Sequence, residues 1–261
     1  MDAGLNGPRY EQHLRRIKKE LADILDVSFT ASPFRALNNR FLVACSARSG
    51  SHLLCHGLME HGAVVREHFD PKQIKRLSFR WEKHTLEAYC RTLVRRFAPR
   101  GVFGVKGGIQ ILAPLMLAGE IPDHLADWRF VYLSRADGLK QAISHFIATQ
   151  TGAFKATAEP TRTLTDQDFD GKKIAGMVRR NRAINVEWEE FFADHGIEPI
   201  RVVYEEMVAD MPGTVGRVAR GLDLRGPPAP GESTPPVKRQ ATSLNADWGA
   251  RFLAEGWPRE G

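Results

Sequence analysis

One stretch constrains this chain more than any other: Phe41 to His52, FLVACSARSGSH, followed by Leu53, Leu54 and Leu58 at helical spacing. An apolar β-forming run (Phe41, Leu42, Val43) feeds a turn of small residues, and the turn opens a helix. A strand, turn and helix N-terminus in this order aim unpaired backbone N–H groups and the positive end of a helix dipole at one point. The turn is therefore expected to cradle a phosphate or sulfate group. A capped helix with an incidental arginine is the plainer alternative.

The turn differs from the nucleoside-triphosphatase loop, G-x-x-x-x-G-K-[ST], in which Lys meets the phosphates and a hydroxyl meets Mg²⁺. Here Arg48 precedes Gly50, and His52 stands where a metal-binding hydroxyl would be sought. Arginine offers a planar fork that grips two oxygens of a phosphoryl or sulfuryl group. Ser49 and Ser51 add hydroxyls, and Gly50 lets the backbone approach the anion.

Around this turn the pattern alternates. Strands are expected at 41–46, near Val64–Arg66, at Val102–Lys106, Phe130–Ser134 and Pro199–Tyr204. Helices are expected at 52–61, 83–97, 109–119, 137–150, 170–194 and 212–222. Such alternation predicts an α/β domain with a parallel sheet and helices on both faces. An amphipathic helix at 9–25, with Leu14, Ile17, Leu21 and Leu25 on one stripe, forms an extension over 1–39 ahead of a domain at 40–261. Two segments interrupt the alternation: a polar loop at 152–168, expected to be mobile and beside a site, and a Pro-rich connector at 226–236 that leads to a short tail.

The 261 residues suffice for one sizeable core, and no apolar run reaches the ~20 residues a membrane span needs. Three cysteines without C-x-x-C spacing read as buried core residues. With an N-terminus lacking signal-peptide character, they suggest a reducing cytoplasm. The net charge of +6 calls for an anionic partner, but the basic residues are dispersed and no nucleic-acid motif is present.

In an open parallel sheet, ligands sit beyond the carboxyl ends of the strands. Those ends carry the Arg48 turn, Lys106 followed by Gly107–Gly108, and Arg135. A Mg²⁺-dependent phosphotransferase would usually place an acid at one of these ends. Three cations there instead point to an anionic donor used without a metal.

Four stretches carry a resemblance. The chain resembles the bacterial sulfotransferases that use 3′-phosphoadenosine 5′-phosphosulfate (PAPS), and among them looks closest to the trehalose 2-sulfotransferase family, over roughly 40–255. SARSGSHLL is similar to that family's 5′-phosphosulfate loop, which implies donor contacts from Arg48, Ser49, Gly50, Ser51 and His52, the last in place of the usual Thr. SRADGLKQAISHF is similar to its 3′-phosphate element, with Arg135 and Ser144 nine residues apart. VREHF resembles the segment carrying the proposed catalytic Glu, here Glu67, and KRQAT resembles the returning tail, implying nucleotide contacts from Arg239, Gln240 and Ala241.

The resemblance implies a P-loop-like single domain, PAPS as donor, 3′-phosphoadenosine 5′-phosphate (PAP) as product, no metal, a small-molecule hydroxyl acceptor such as a sugar or glycolipid, and a homodimer. It implies catalytic roles for Glu67 as general base and for Arg48 and Lys106 in neutralising the leaving group. His68 is the rival base, since imidazole titrates near neutrality. Along an extended segment neighbours point opposite ways, so only one of the two is expected to face the acceptor. An atypical kinase-like phosphotransferase and a non-catalytic nucleotide-binding module are the competing readings.

Overall fold

A computed structural model describes residues 8–98, 100–154, 158–227 and 243–258. The described strands form one parallel sheet in the order β2-β3-β1-β4-β5: β1 Asn39–Cys45, β2 Val65–Arg66, β3 Val102–Gly107, β4 Trp128–Ser134 and β5 Ile200–Val203. β1 is the middle strand and is buried almost from end to end, as a strand covered on both faces must be. From β1 the chain runs to β2 and β3 on one side, then crosses to β4 and β5 on the other. The strand order therefore reverses beside β1, where such sheets open a crevice at their carboxyl edge.

The described helices are α1 Arg9–Ala22, α2 Ser51–Met59, α3 Pro71–Arg80, α4 Leu86–Phe97, α5 Leu112–Leu117, α6 Gly138–Thr151, α7 Gly171–Asp194, α8 Tyr204–Ala209, α9 Met211–Gly221 and α10 Ser243–Ala254. Residues from α1, α4, α5 and α7 share one apolar cluster with Leu42, Ala44, Phe103 and Val105 of the sheet. Those of α2, α8 and α9 cover the opposite side with Phe41, Val43, Val131 and Val202. A third cluster joins α6 and α7 to Trp248 and Phe252 of α10. The amphipathic stripe of α1 is consumed by the first cluster, since Tyr10, Leu14, Ile17 and Leu21 are all buried. Close packing governs the sheet as well: a Cβ on Gly104 would come within 2.5 Å of the Phe41 ring.

Several elements differ from the sequence reading. Three helices fall where none is expected: α3, α8 and α10. α3 is started by Asp70, whose carboxylate accepts from the amides of Lys72 and Gln73, with Pro71 in the first turn. The expected strand Pro199–Tyr204 stops at Val203, and Tyr204 begins α8. The expected helix at 109–119 starts as a 3-10 turn at Ile109–Ile111 before α5. Most of the Pro-rich connector, and all of Arg239, Gln240 and Ala241, lie outside the described residues.

Candidate active site

The carboxyl ends of the adjacent strands bring the candidate residues together. Reading across the sheet, β2 leads to Glu67, β3 to Lys106, β1 to the Ser46–Gly50 loop, β4 to Arg135 and β5 to Tyr204.

The loop follows β1 directly and turns through two left-handed residues, Arg48 at φ 61° and Gly50 at φ 92°. Alternation of this kind curls backbone amides around a concavity that accepts anions. Gly50 caps α2, and no side chain among the described residues caps that helix. Its dipole thus faces the loop. Glycine is required there for two reasons: the backbone is left-handed, and a Cβ would lie 2.3 Å from Cδ2 of Tyr204. On the α6 side, Gln141 Nε2 donates to Ser46 Oγ at 2.9 Å and to the Ala47 carbonyl at 2.8 Å. Arg135 Nη1 donates to the Arg48 carbonyl at 3.2 Å, and its guanidinium lies 4.5 Å from the centre of the Tyr204 ring. The loop is thus held by three elements.

Arg48 points from the loop towards α6. Its Nε donates to Ser144 Oγ at 3.0 Å and its Nη1 to the Phe154 carbonyl at 2.6 Å. Burial, and next the charge of Arg135, shift the Arg48 pKa downwards. Two cations crowd one pocket, which an anion between them would relieve. Ser49 is fully buried, and its hydroxyl has no hydrogen-bond partner among the described residues. His52 lies half-buried in the first turn of α2.

Lys106 is not part of an open cationic rim, as its strand-end position suggests. It is 1% exposed, and its Nζ donates to Ser51 Oγ at 3.2 Å and lies 3.5 Å from Glu67 Oε1. The Glu67 side chain remains 49% exposed. Glu67, Lys106 and Ser51 therefore form a chain from the sheet edge to the loop: a carboxylate open to solvent, a buried ammonium, and a hydroxyl in the first turn of α2. His68 takes the opposite direction. It is 3% exposed, with its ring 4.4 Å from that of Phe97 and stacked at 6.4 Å on Phe103. Burial, then the charge of Arg66, push its pKa down to about 3. The ring is thus turned into the core, away from the solvent that Glu67 meets.

The sequence reading does not reach several nearby groups. His145 follows Ser144 on α6, and its Nδ1 sits 3.1 Å from Asn181 Oδ1 on α7. Asn181 Nδ2 and Asn185 Oδ1 are buried without partners among the described residues. Glu205 accepts from the amides of Ala136 and Asp137 at 2.9 and 3.3 Å, fixing the turn behind Arg135. An asparagine inside a helix gives no pattern to read. Tyr204 gives only an aromatic at a strand end.

The sheet and its loop define a P-loop-like α/β protein, with the left-handed loop at the end of the central strand. The chain belongs to the Stf0 sulphotransferase family, which it matches over residues 116–255, a span that includes Arg135 and Ser144. It is 29% identical over 197 residues to the trehalose 2-sulfotransferase of Mycobacterium tuberculosis (strain Erdman), covering 69% of this chain and 68% of that protein. To the trehalose 2-sulfotransferase of Mycolicibacterium smegmatis it is 27% identical over 181 residues, covering 63% and 64% respectively. In fold it is similar to the sulfotransferase domain of the Synechococcus PCC 7002 olefin synthase, with a TM-score of 0.51 at 14% identity, covering 90% of this chain and 99% of that domain.

Proposed function

We propose that this sulfotransferase moves the sulfuryl group of PAPS to a hydroxyl of a small carbohydrate, glycolipid or related metabolite, with Glu67 as general base. The carrying observation is the line of Glu67, Lys106 and Ser51, which sets a carboxylate within one ammonium of the anion loop. The paired cations Arg48 and Arg135 fit the phosphosulfate and phosphate groups of the donor. In this reading Arg48, Ser49, Gly50, Ser51 and His52 hold the 5′ end, and Arg135 with Ser144 holds the 3′-phosphate.

Glu67 takes the proton of the acceptor hydroxyl as its oxygen forms a bond to sulfur. The bond from sulfur to the bridging phosphate oxygen breaks, and its electron pair leaves with PAP. Lys106 and Arg48 stabilise the charge that grows on that oxygen. A sugar is the favoured acceptor because the aligned relatives are trehalose 2-sulfotransferases.

Incubation with ³⁵S-labelled PAPS, in EDTA, with trehalose and separately with a native small-molecule extract tests this reading. One product gaining one sulfate is expected. Glu67→Gln should lower its turnover about 10²–10⁴-fold, the usual worth of a general base, while leaving PAP affinity intact. A fully active Glu67→Gln enzyme would refute the assignment of the base.

A further inference from the structure

The outer face of α3 has no role in the site, yet it is the least ordinary surface of the molecule. Phe79 is 89% exposed, the most exposed of the large apolar side chains among the described residues. It does not sit at the edge of a buried stripe. Helical spacing puts Lys72, Lys75, Arg76 and Phe79 on one face, with Arg80 beside them, and all five are exposed. The buried face of the same helix is made by Pro71, Ile74 and Ser78. Phe79 thus stands inside a cluster of four cations, and Lys83 follows just past the helix. Among the described residues none of Lys72, Lys75, Arg80 and Lys83 has an ion-pair partner, while Arg76 donates to Gln73 on its own helix. α3 begins only four residues after Glu67, so whatever α3 meets stands beside the acceptor side of the site.

An exposed aromatic encircled by unpaired cations fits a surface with an anionic layer over an apolar one. We infer that α3 docks this enzyme on a bilayer containing anionic phospholipid, with its cations among the headgroups and Phe79 below them. Charge complementarity selects this occupant. A second copy meeting the patch through a two-fold axis would set cations against cations. A soluble polyanion without bases would match the charge but leave Phe79 in water, and a nucleic acid that stacks on Phe79 is a separate outcome of the test. The inference goes beyond sulfuryl transfer and does not depend on the donor or on Glu67.

The full-length protein is sedimented with sucrose-loaded vesicles of phosphatidylcholine alone or with about one third phosphatidylglycerol, at about 0.1 M salt, where the screening length is about 10 Å. Binding is expected to the anionic vesicles only. It should fall about fivefold for each of Lys72→Glu, Lys75→Glu and Arg76→Glu at the least, since each also reverses a charge. Phe79→Ser should weaken it about tenfold. Thermal unfolding of each variant is expected to match the parent, because these side chains are exposed. Failure to bind anionic vesicles overturns the inference, as does binding indifferent to Phe79→Ser or to the three charge reversals. Capture by a short RNA as tight as that by the anionic vesicles, whether or not Phe79→Ser weakens it, would overturn the inference and assign the patch to soluble polyanions instead. A concentration-dependent dimer abolished by Phe79→Ser would assign it to a second copy.

Discussion

Glu67 and His68 are neighbours on the chain and meet opposite surroundings. The carboxylate faces solvent beside Lys106, and the imidazole is enclosed by Phe97 and Phe103. Alternation along the segment after β2 says that the two diverge, but not which one points inward; the packing of α4 against the sheet edge decides that. The buried ring has a consequence for stability. Its pKa falls from 6.5 to about 3 on folding, so between those values the unfolded chain binds the extra proton. Stability from this group is complete above pH 6.5 and is lost as the pH falls towards 3, by up to about 1.4 kcal/mol per pH unit. His56 and His145, whose pKa values burial also lowers, act in the same direction. His68→Phe fills the same space without the buried, unpartnered Nε2. It is expected to keep turnover and to flatten the acid limb of urea-melt stability between pH 6.5 and 4. An unchanged acid limb would contradict the enclosed imidazole, and a dead but folded variant would return His68 to catalysis.

At the scale of elements, the loop after β1 is the most legible part of the molecule, because small residues, Arg48 and a helix start coincide in FLVACSARSGSH. Its support is not local. Tyr204, Gln141 and Arg135 arrive from β5, α6 and β4, and only the folded sheet brings them together. Gly50→Ala should destabilise by about 2 kcal/mol or more, from the left-handed backbone and the contact with Tyr204. In a Tyr204→Ala background the cost should shrink but not vanish, which denaturant melts of the two single variants and the double variant will measure. α1 makes a second case. The spacing of Leu14, Ile17 and Leu21 gives its apolar stripe, and the structure adds that the stripe is fully consumed in the core. Leu14→Ala is therefore expected to cost about 2–5 kcal/mol in urea melts. An effect below about 0.5 kcal/mol would mean that α1 is peripheral. α3 does carry a helical period, in Ile74, Leu77 and Trp81 behind the Asp70–Pro71 start, and the sequence reading passes over it; α8 is short and buries only Met207, too little to announce a period.

For the whole molecule, the order β2-β3-β1-β4-β5 turns residues scattered from 46 to 205 into one row along the carboxyl edge of the sheet. The alternation of strands and helices was readable from the sequence because each strand except β2 is a compact apolar run. Strand order leaves no local trace, and neither does the burial of Lys106 beneath the loop. The row has a direction: the exposed acid lies at the β2 end, the anion loop at the centre, and Arg135 beyond it at β4. The proposed donor, with a 3′-phosphate as well as a 5′ phosphosulfate, has anionic groups at two positions to match this layout. Calorimetric titration of the protein in EDTA with PAP, and in parallel with ADP, whose 5′-diphosphate comes without a 3′-phosphate, tests that claim most directly. PAP is expected to bind about 10–100-fold tighter than ADP, the worth of a charge-assisted contact, and Arg135→Ala should erase most of the difference. Equal affinity for PAP and ADP, or binding of PAP only when Mg²⁺ is restored, would contradict it.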